Sequence, residues 1–241
     1  MLLSTAYFPP LAWLALAARD MIIPCHSERD TCHSERSEES PDDRIIPSHV
    51  FLEACESYQK QSYRNRCYIL AGDGPQMLQV PVVHPVRANA PERVSPAPNI
   101  RNILVDYSTP WVVRTQRALD TAYETAAYYD YYRDELFALL DARPRTLWEL
   151  NLSTILFLIK HIGIACELEP TRDFAAPGSV PDDYRTLIHP KRPDTVLKDL
   201  GLDRPYYQVF RDRLGGFTPR LSALDLLFNE GPDSLAWVKK G

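Results

Sequence analysis

The residues best suited to chemistry crowd into one stretch. Glu53 and Glu56 are followed directly by Gln59, Lys60, Gln61, Ser62, Arg64, Asn65 and Arg66. A guanidinium meets phosphate or carboxylate with two parallel hydrogen bonds, and an ammonium meets it as a point charge. Lys60, Arg64 and Arg66 therefore suit a diphosphate, with Gln59 and Asn65 as neutral donors to the same ligand. Glu53, and Asp106 at the end of the run Ile100–Asp106, are the candidate general bases or acceptors for sugar hydroxyls. Tyr58 and Tyr63 offer rings that stack on a base or a sugar. Asn229 stands beside a helix end, from where it can reach a neighbouring loop. The competing reading is a solvated turn in which Glu53 pairs with Arg64 or Arg66 and the tyrosines fill the rim of a core. His84, His161 and His189 are scattered and suggest no metal centre, and the sequence names no cofactor.

Elements on either side must hold this stretch. Val50–Cys55 alternates as a strand, with Val50, Leu52 and Ala54 on one face. Cys67–Leu70 and Met77–Val83 read as further strands, joined through the turn Ala71-Gly72-Asp73-Gly74. Ahead of them, Leu2–Ala6 suits a short buried strand and Leu11–Arg19 a helix opened by a proline pair. Ile100–Asp106 is another strand candidate, and the proline-rich run from His84 to Pro98 reads as loop. Apolar spacing predicts helices over Trp111–Thr125, Tyr128–Leu140 and Thr146–His161. The last opens on the capping box Thr146-x-x-Glu149 and places Asn151 on an otherwise apolar surface. Ala175–Phe217 suits a long loop laid over the body, and Ser222-x-x-Asp225 a second capping box before Leu224–Phe228. The expected fold is α/β: a mixed sheet near the N-terminal half packed with several helices, in a single domain over 1–241.

Composition narrows the function classes. The chain has 241 residues and a formal net charge of −5, against the basic face that nucleic-acid binders carry. Its five cysteines form an odd set without a CxxC pair, which suits a reducing cytoplasm better than a disulfide framework. Leu11–Ala18 is apolar but too short to span a bilayer. Phosphate-loop, dinucleotide-binding, nucleophile-elbow and zinc-helix motifs are absent from the sequence.

Residues 21–48 break the pattern. CHSER occurs at Cys25–Arg29 and again at Cys32–Arg36, and Ile-Ile-Pro stands at both Ile22–Pro24 and Ile45–Pro47. Rich in Ser, Glu and Arg, the segment is expected to be disordered. Cys25-His26 and Cys32-His33 lack the spacing of a zinc finger. The repeat resembles a translated DNA element found inserted in unrelated bacterial proteins, a passenger in this chain.

Several pieces together resemble the WbqC-like proteins of bacterial surface-polysaccharide gene clusters. They are Leu2–Pro10 (LLSTAYFPP), Glu56–Cys67 (ESYQKQSYRNRC), Val80–Val83 (VPVV), Val105–Trp111 (VDYSTPW), Glu149-Leu150-Asn151, Tyr206–Phe210 (YYQVF) and Leu221–Pro232 (LSALDLLFNEGP). Many members carry His-Gln-Pro where this chain has Leu3, Ser4 and Thr5, so a mechanism using that histidine does not operate here. The resemblance implies a role in O-antigen or capsule assembly. Two readings follow. One is a transferase or sugar-modifying enzyme using a nucleotide-activated sugar, with phosphate on Lys60, Arg64 and Arg66 and an acceptor activated by Glu53 or Asp106. The other is a non-catalytic partner of the pathway's enzymes, contacting them through the tyrosines at 128–132. Neither requires a membrane span.

Overall fold

A computed structural model of the chain describes residues 1–23, 45–83 and 98–239. The fold is α/β. Three short parallel strands form one sheet in the order β1-β2-β5: β1 (Leu2–Leu3), β2 (Ser48–Leu52) and β5 (Cys166–Pro170). Leu2 pairs with Phe51, and Ser48 to Leu52 pair with Cys166 to Pro170. Between β1 and β2 the chain makes helix α1 (Leu11–Arg19), whose residues Leu11 to Ala18 are all buried. The apolar run Leu11–Ala18 is thus core, opened by Pro10 as its N-cap.

A separate antiparallel hairpin, β3 (Arg66–Ala71) and β4 (Gly74–Gln79), follows with Arg66 opposite Gln79 and Ala71 opposite Gly74. Its turn falls at Gly72-Asp73, where Gly74 takes a φ of 124° that side chains rarely tolerate. Three long helices follow, of which α2 packs against β3: α2 (Trp111–Tyr123), α3 (Tyr129–Asp141) and α4 (Leu147–Ile162). The capping box of α4 is complete: Glu149 N donates to Thr146 Oγ1 at 3.1 Å, and Thr146 N donates to Glu149 Oε2 at 3.0 Å. Gly163 ends the helix in the left-handed region at φ 82°. Two single-turn helices, α5 (Val196–Asp199) and α6 (Arg211–Leu214), punctuate the long C-terminal loop before α7 (Ala223–Glu230) and α8 (Ser234–Val238).

Three expectations need correction. Ile100–Asp106 is no strand: a 3-10 turn occupies Ile100–Asn102, because the Asn99 side chain accepts from Arg101 N and bends the chain. Val105 and Leu104 then make only isolated bridges, to Val82 and Thr146. The second capping box is half formed. Ser222 Oγ accepts from Leu224 N, but the Asp225 carboxylate turns into the core, where Tyr123 and Tyr206 donate to it. The limits 21–48 also move. Met21 is buried, its Sδ accepting from Ala165 N, and buried Ser48 donates to Ala17 O and begins β2. Ile22 and Ile46 exchange two backbone hydrogen bonds of 3.0 Å, so the segment leaves and rejoins the body at one clasp. Both CHSER repeats and His84 lie outside the described residues.

Candidate functional site

The carboxyl ends of parallel strands are the customary ligand crevice of an open α/β sheet. Here that edge gathers Ser4 and Thr5 after β1, Glu53 and Glu56 after β2, and Thr171 after β5, and their side chains are spent on one another. Glu53 is fully buried and accepts from Thr171 Oγ1 (2.7 Å), Arg185 Nη1 (2.8 Å), Cys55 N (3.0 Å) and Ala175 N (3.0 Å). Arg185 also holds Asp183 through Nε at 2.8 Å and Nη2 at 2.6 Å. Expected beside Arg64 or Arg66, Glu53 pairs instead with a residue 132 positions away. Four donors from the protein thus occupy both of its oxygens.

Arg64 faces the same edge. Its Nε donates to Glu56 Oε1 at 2.7 Å and its Nη2 to Glu56 Oε2 and to Ser4 Oγ, with both charged side chains only 5% exposed. This buried bidentate pair commits Nε and Nη2 of Arg64 to Glu56 and Ser4 and neutralises its charge within the protein. Ser4 completes the pair, donating to Glu56 Oε2 at 3.2 Å and accepting from Arg64 Nη2 at 2.8 Å. The gap among Ser4, Thr5, Tyr63, Arg64 and Arg185 is only about 10 Å³, room for a single water at most.

The outer side of the loop is open. A cavity of about 350 Å³ is lined by Tyr58, Lys60, Gln61, Asn65, Arg66, Gln79, Pro81 and Val82. Three expected residues, Lys60, Asn65 and Arg66, meet there. Asn65 is 4% exposed; its Nδ2 donates to Val80 O at 3.1 Å, fixing the loop to the end of β4, while its Oδ1 has no partner among the described residues. The buried Arg66 Nε is likewise unsatisfied, and among the described residues no carboxylate pairs with Lys60 or Arg66. Buried polar atoms without partners are uncommon; these two lie beneath the surface of the cavity that Lys60 and Arg66 line. Burial pushes the Tyr58 phenol up, and Arg66 and Arg64 pull it back. Gln61 sits at φ 59°, a strained backbone for a residue with a side chain, and its amide oxygen accepts from Lys191 Nζ.

A core residue sets this geometry. Asn151 of α4 is fully buried and donates to Arg64 O at 2.8 Å and to Thr5 Oγ1 at 3.1 Å. It ties the loop backbone between inward Arg64 and outward Arg66 to the body.

The other expected residues are placed apart. Asp106 stands near the cavity, its N donating to the lining residue Pro81 at 2.9 Å, and Ser108 N binds its Oδ1 at 2.8 Å. Hydrogen bonds from the Ser108 hydroxyl first, and then from Ser108 N, hold its carboxyl below the usual range, making it an acceptor and a weak base. Gln59 is exposed and takes part through its carbonyl, which accepts from Ser62 Oγ. Asn229 is not at the site: its Nδ2 donates to Asp225 O, one turn back in α7, at 2.7 Å. Gln79, Pro81 and Val82 were not anticipated as lining; the signal was the outward face of β4, which sets Gln79 directly opposite Arg66. Arg185 had no local signal at all.

The sequence model of the WbqC-like protein family matches residues 48–189. The chain belongs to that family. That match takes in the Lys60–Arg66 loop, β3, β4, α2 to α4 and Arg185. This WbqC-like chain is also similar to the uncharacterized protein Rv1507c of Mycobacterium tuberculosis, 26% identical over 206 residues that cover 76% of this chain and 85% of that protein. No solved structure matches it. Among the described residues no helix is long and apolar enough to cross a membrane.

Proposed function

We propose that the protein binds a nucleotide-activated sugar, its diphosphate on Lys60 and Arg66, and acts in the cytoplasm as a transferase or sugar-modifying enzyme of O-antigen or capsule assembly. The observation that carries this reading is the cavity of about 350 Å³ lined by Lys60 and Arg66, neither of which has a carboxylate partner among the described residues. A diphosphate supplies acceptors for the two cations. Tyr58 at the wall provides a ring. Asp106, beside Pro81, is the acceptor for a hydroxyl group of the second substrate.

The test is a thermal-shift titration with UDP-, GDP- and dTDP-sugars. A ligand that binds only the folded state at a hundred times its Kd stabilises by about 2.7 kcal/mol, and Arg66→Ala or Lys60→Ala should abolish most of that shift. Arg64→Lys should leave ligand affinity unchanged while lowering stability, since Arg64 faces Glu56. No shift with any of the three nucleotide classes would refute the proposal. A second reading, a binding protein of the same pathway without chemistry, is favoured by the full occupancy of Glu53. Turnover of a bound sugar nucleotide, read as released nucleoside diphosphate, separates the two. For residues 24–44 the proposal is a passenger inside one WbqC-like domain over 1–241; the family match beginning at Ser48, where β2 begins, supports it.

A further inference from the structure

A second cavity, of about 320 Å³, adjoins the first. Its lining is Gln76, Met77, Leu78 and Gln79 of β4, then Pro81 and Thr109, then Trp111, Arg114, Thr115 and Ala118 of α2. Gln79 and Pro81 line both cavities, so the two lie on either side of a ridge one or two residues wide.

Their chemistry differs. The first presents two cations. The second presents two exposed amides (Gln76, Gln79), the exposed Thr109 hydroxyl and one cation, Arg114, over buried Thr115 and Trp111, with no carboxylate among the described residues that line it. Its floor is built by helical spacing: Trp111, Thr115 and Ala118 fall on one stripe of α2, turned toward the edge of β4. Trp111 is 5% exposed and its Nε1 has no acceptor among the described residues. It is fixed in place by stacking on Tyr107, ring centroids 5.7 Å apart. The exposed amides of Gln76 and Gln79 and the Thr109 hydroxyl satisfy a polyhydroxylated ring, whose hydroxyls donate and accept while its C–H face covers the apolar surface of Met77, Pro81 and Ala118. A phosphate would find only Arg114.

We infer that this second cavity is a saccharide subsite: it takes the sugar portion of the ligand whose diphosphate occupies the Lys60/Arg66 cavity, with Gln79 and Pro81 beneath the junction. The inference rests on the nucleotide-sugar reading for the identity of the neighbouring group, though not for the chemistry of the subsite itself.

The chain carries its own reporter. Of the three methionines, Met1, Met21 and Met77, Met77 lines this cavity and is 43% exposed, whereas Met21 is buried. Protein labelled with 13C at the methionine methyls is titrated with UDP-, GDP- and dTDP-hexoses, with the matching bare diphosphates, and with a free neutral hexose. Expected is a shift of the Met77 methyl with the hexose-bearing ligands, none at Met21, and little with the bare diphosphates. Replacing exposed Gln76 (Gln76→Ala) removes one neutral hydrogen bond of about 1 kcal/mol, so the sugar nucleotide weakens about fivefold and the bare diphosphate not at all. Lys60→Ala weakens both. An unmoved Met77 at saturating sugar nucleotide, or equal weakening of both ligands by Gln76→Ala, overturns the inference while leaving the diphosphate site standing. If no nucleotide binds but the free hexose still moves Met77, the diphosphate reading fails and the saccharide subsite stands; if neither moves it, both fail.

Discussion

Asp225→Asn tests the buried network under α7. Asp225 is fully buried, and its carboxylate takes hydrogen bonds from Tyr123 OH (2.8 Å), Tyr206 OH (2.6 Å) and Gln208 Nε2 (2.8 Å). Desolvation outweighs those three donors and pushes its pKa up to about 6, against an ordinary aspartate value near 3.8 once the chain unfolds. The folded protein thus holds this proton more tightly than the unfolded chain does. Stability from this group is fully present below about pH 3.8 and is lost as pH rises to about 6 and beyond. A shift of about two pKa units corresponds to about 3 kcal/mol. Asparagine has no proton to lose, so the stability of the variant minus that of the parent should rise by about 2.4 kcal/mol between pH 4 and pH 7. Asp20, Asp120, Glu135 and Asp183, whose pKa values are lowered by cationic partners, act in the opposite sense but are common to both proteins and cancel in the difference. Urea unfolding at half-unit steps of pH measures it, with equal slopes required for the comparison. A difference that stays flat across the range refutes the buried, proton-binding carboxylate.

Gly231→Ala places a Cβ 2.5 Å from Tyr128 Cγ and Cδ1 at a φ of 52°; a loss of about 2 kcal/mol or more is expected by thermal unfolding, partly recovered by adding Tyr128→Ala. Glu56→Ala leaves Arg64 buried without its counter-ion and should cost about 3–5 kcal/mol, whereas Lys60→Ala, at an exposed loop position, should be neutral for stability. Replacing residues 23–45 by Asn-Gly joins Ile22 to Ile46, the doubly hydrogen-bonded pair that a two-residue hairpin turn closes, and should leave the melting temperature within a few degrees of the parent. Deleting 21–48 instead removes buried Met21 and the first residue of β2 and should destabilise strongly; equal outcomes for the two deletions would refute the clasp as the boundary.

Much of the fold could be read from the sequence where a period or a cap was present. Trp111, Thr115, Ala118 and Ala122 repeat at helical spacing, and Thr146 with Glu149 fixes the start of α4, so the three long helices were predicted almost to their ends. Strand β5 was missed because CELEP carries no β-branched residue, ends in proline and lies at a sheet edge, exposed on alternate positions. At the site, residue types in the Glu53–Arg66 stretch identified the right loop but not its sides. A turn has no periodicity, so nothing local told inward Arg64 from outward Lys60 and Arg66. The partners that decide the matter, Ser4, Asn151 and Arg185, come from distant segments.

Asn151 therefore has a consequence for anyone who wishes to change what this protein recognises. A single amide on a core helix suspends the loop between its structural arginine and its cavity arginine. Lys60 and Gln79 can be varied as interchangeable fittings, because neither carries that suspension. A substitution at Asn151, out of reach of any ligand, would retune the whole cavity at once by letting Arg66 swing.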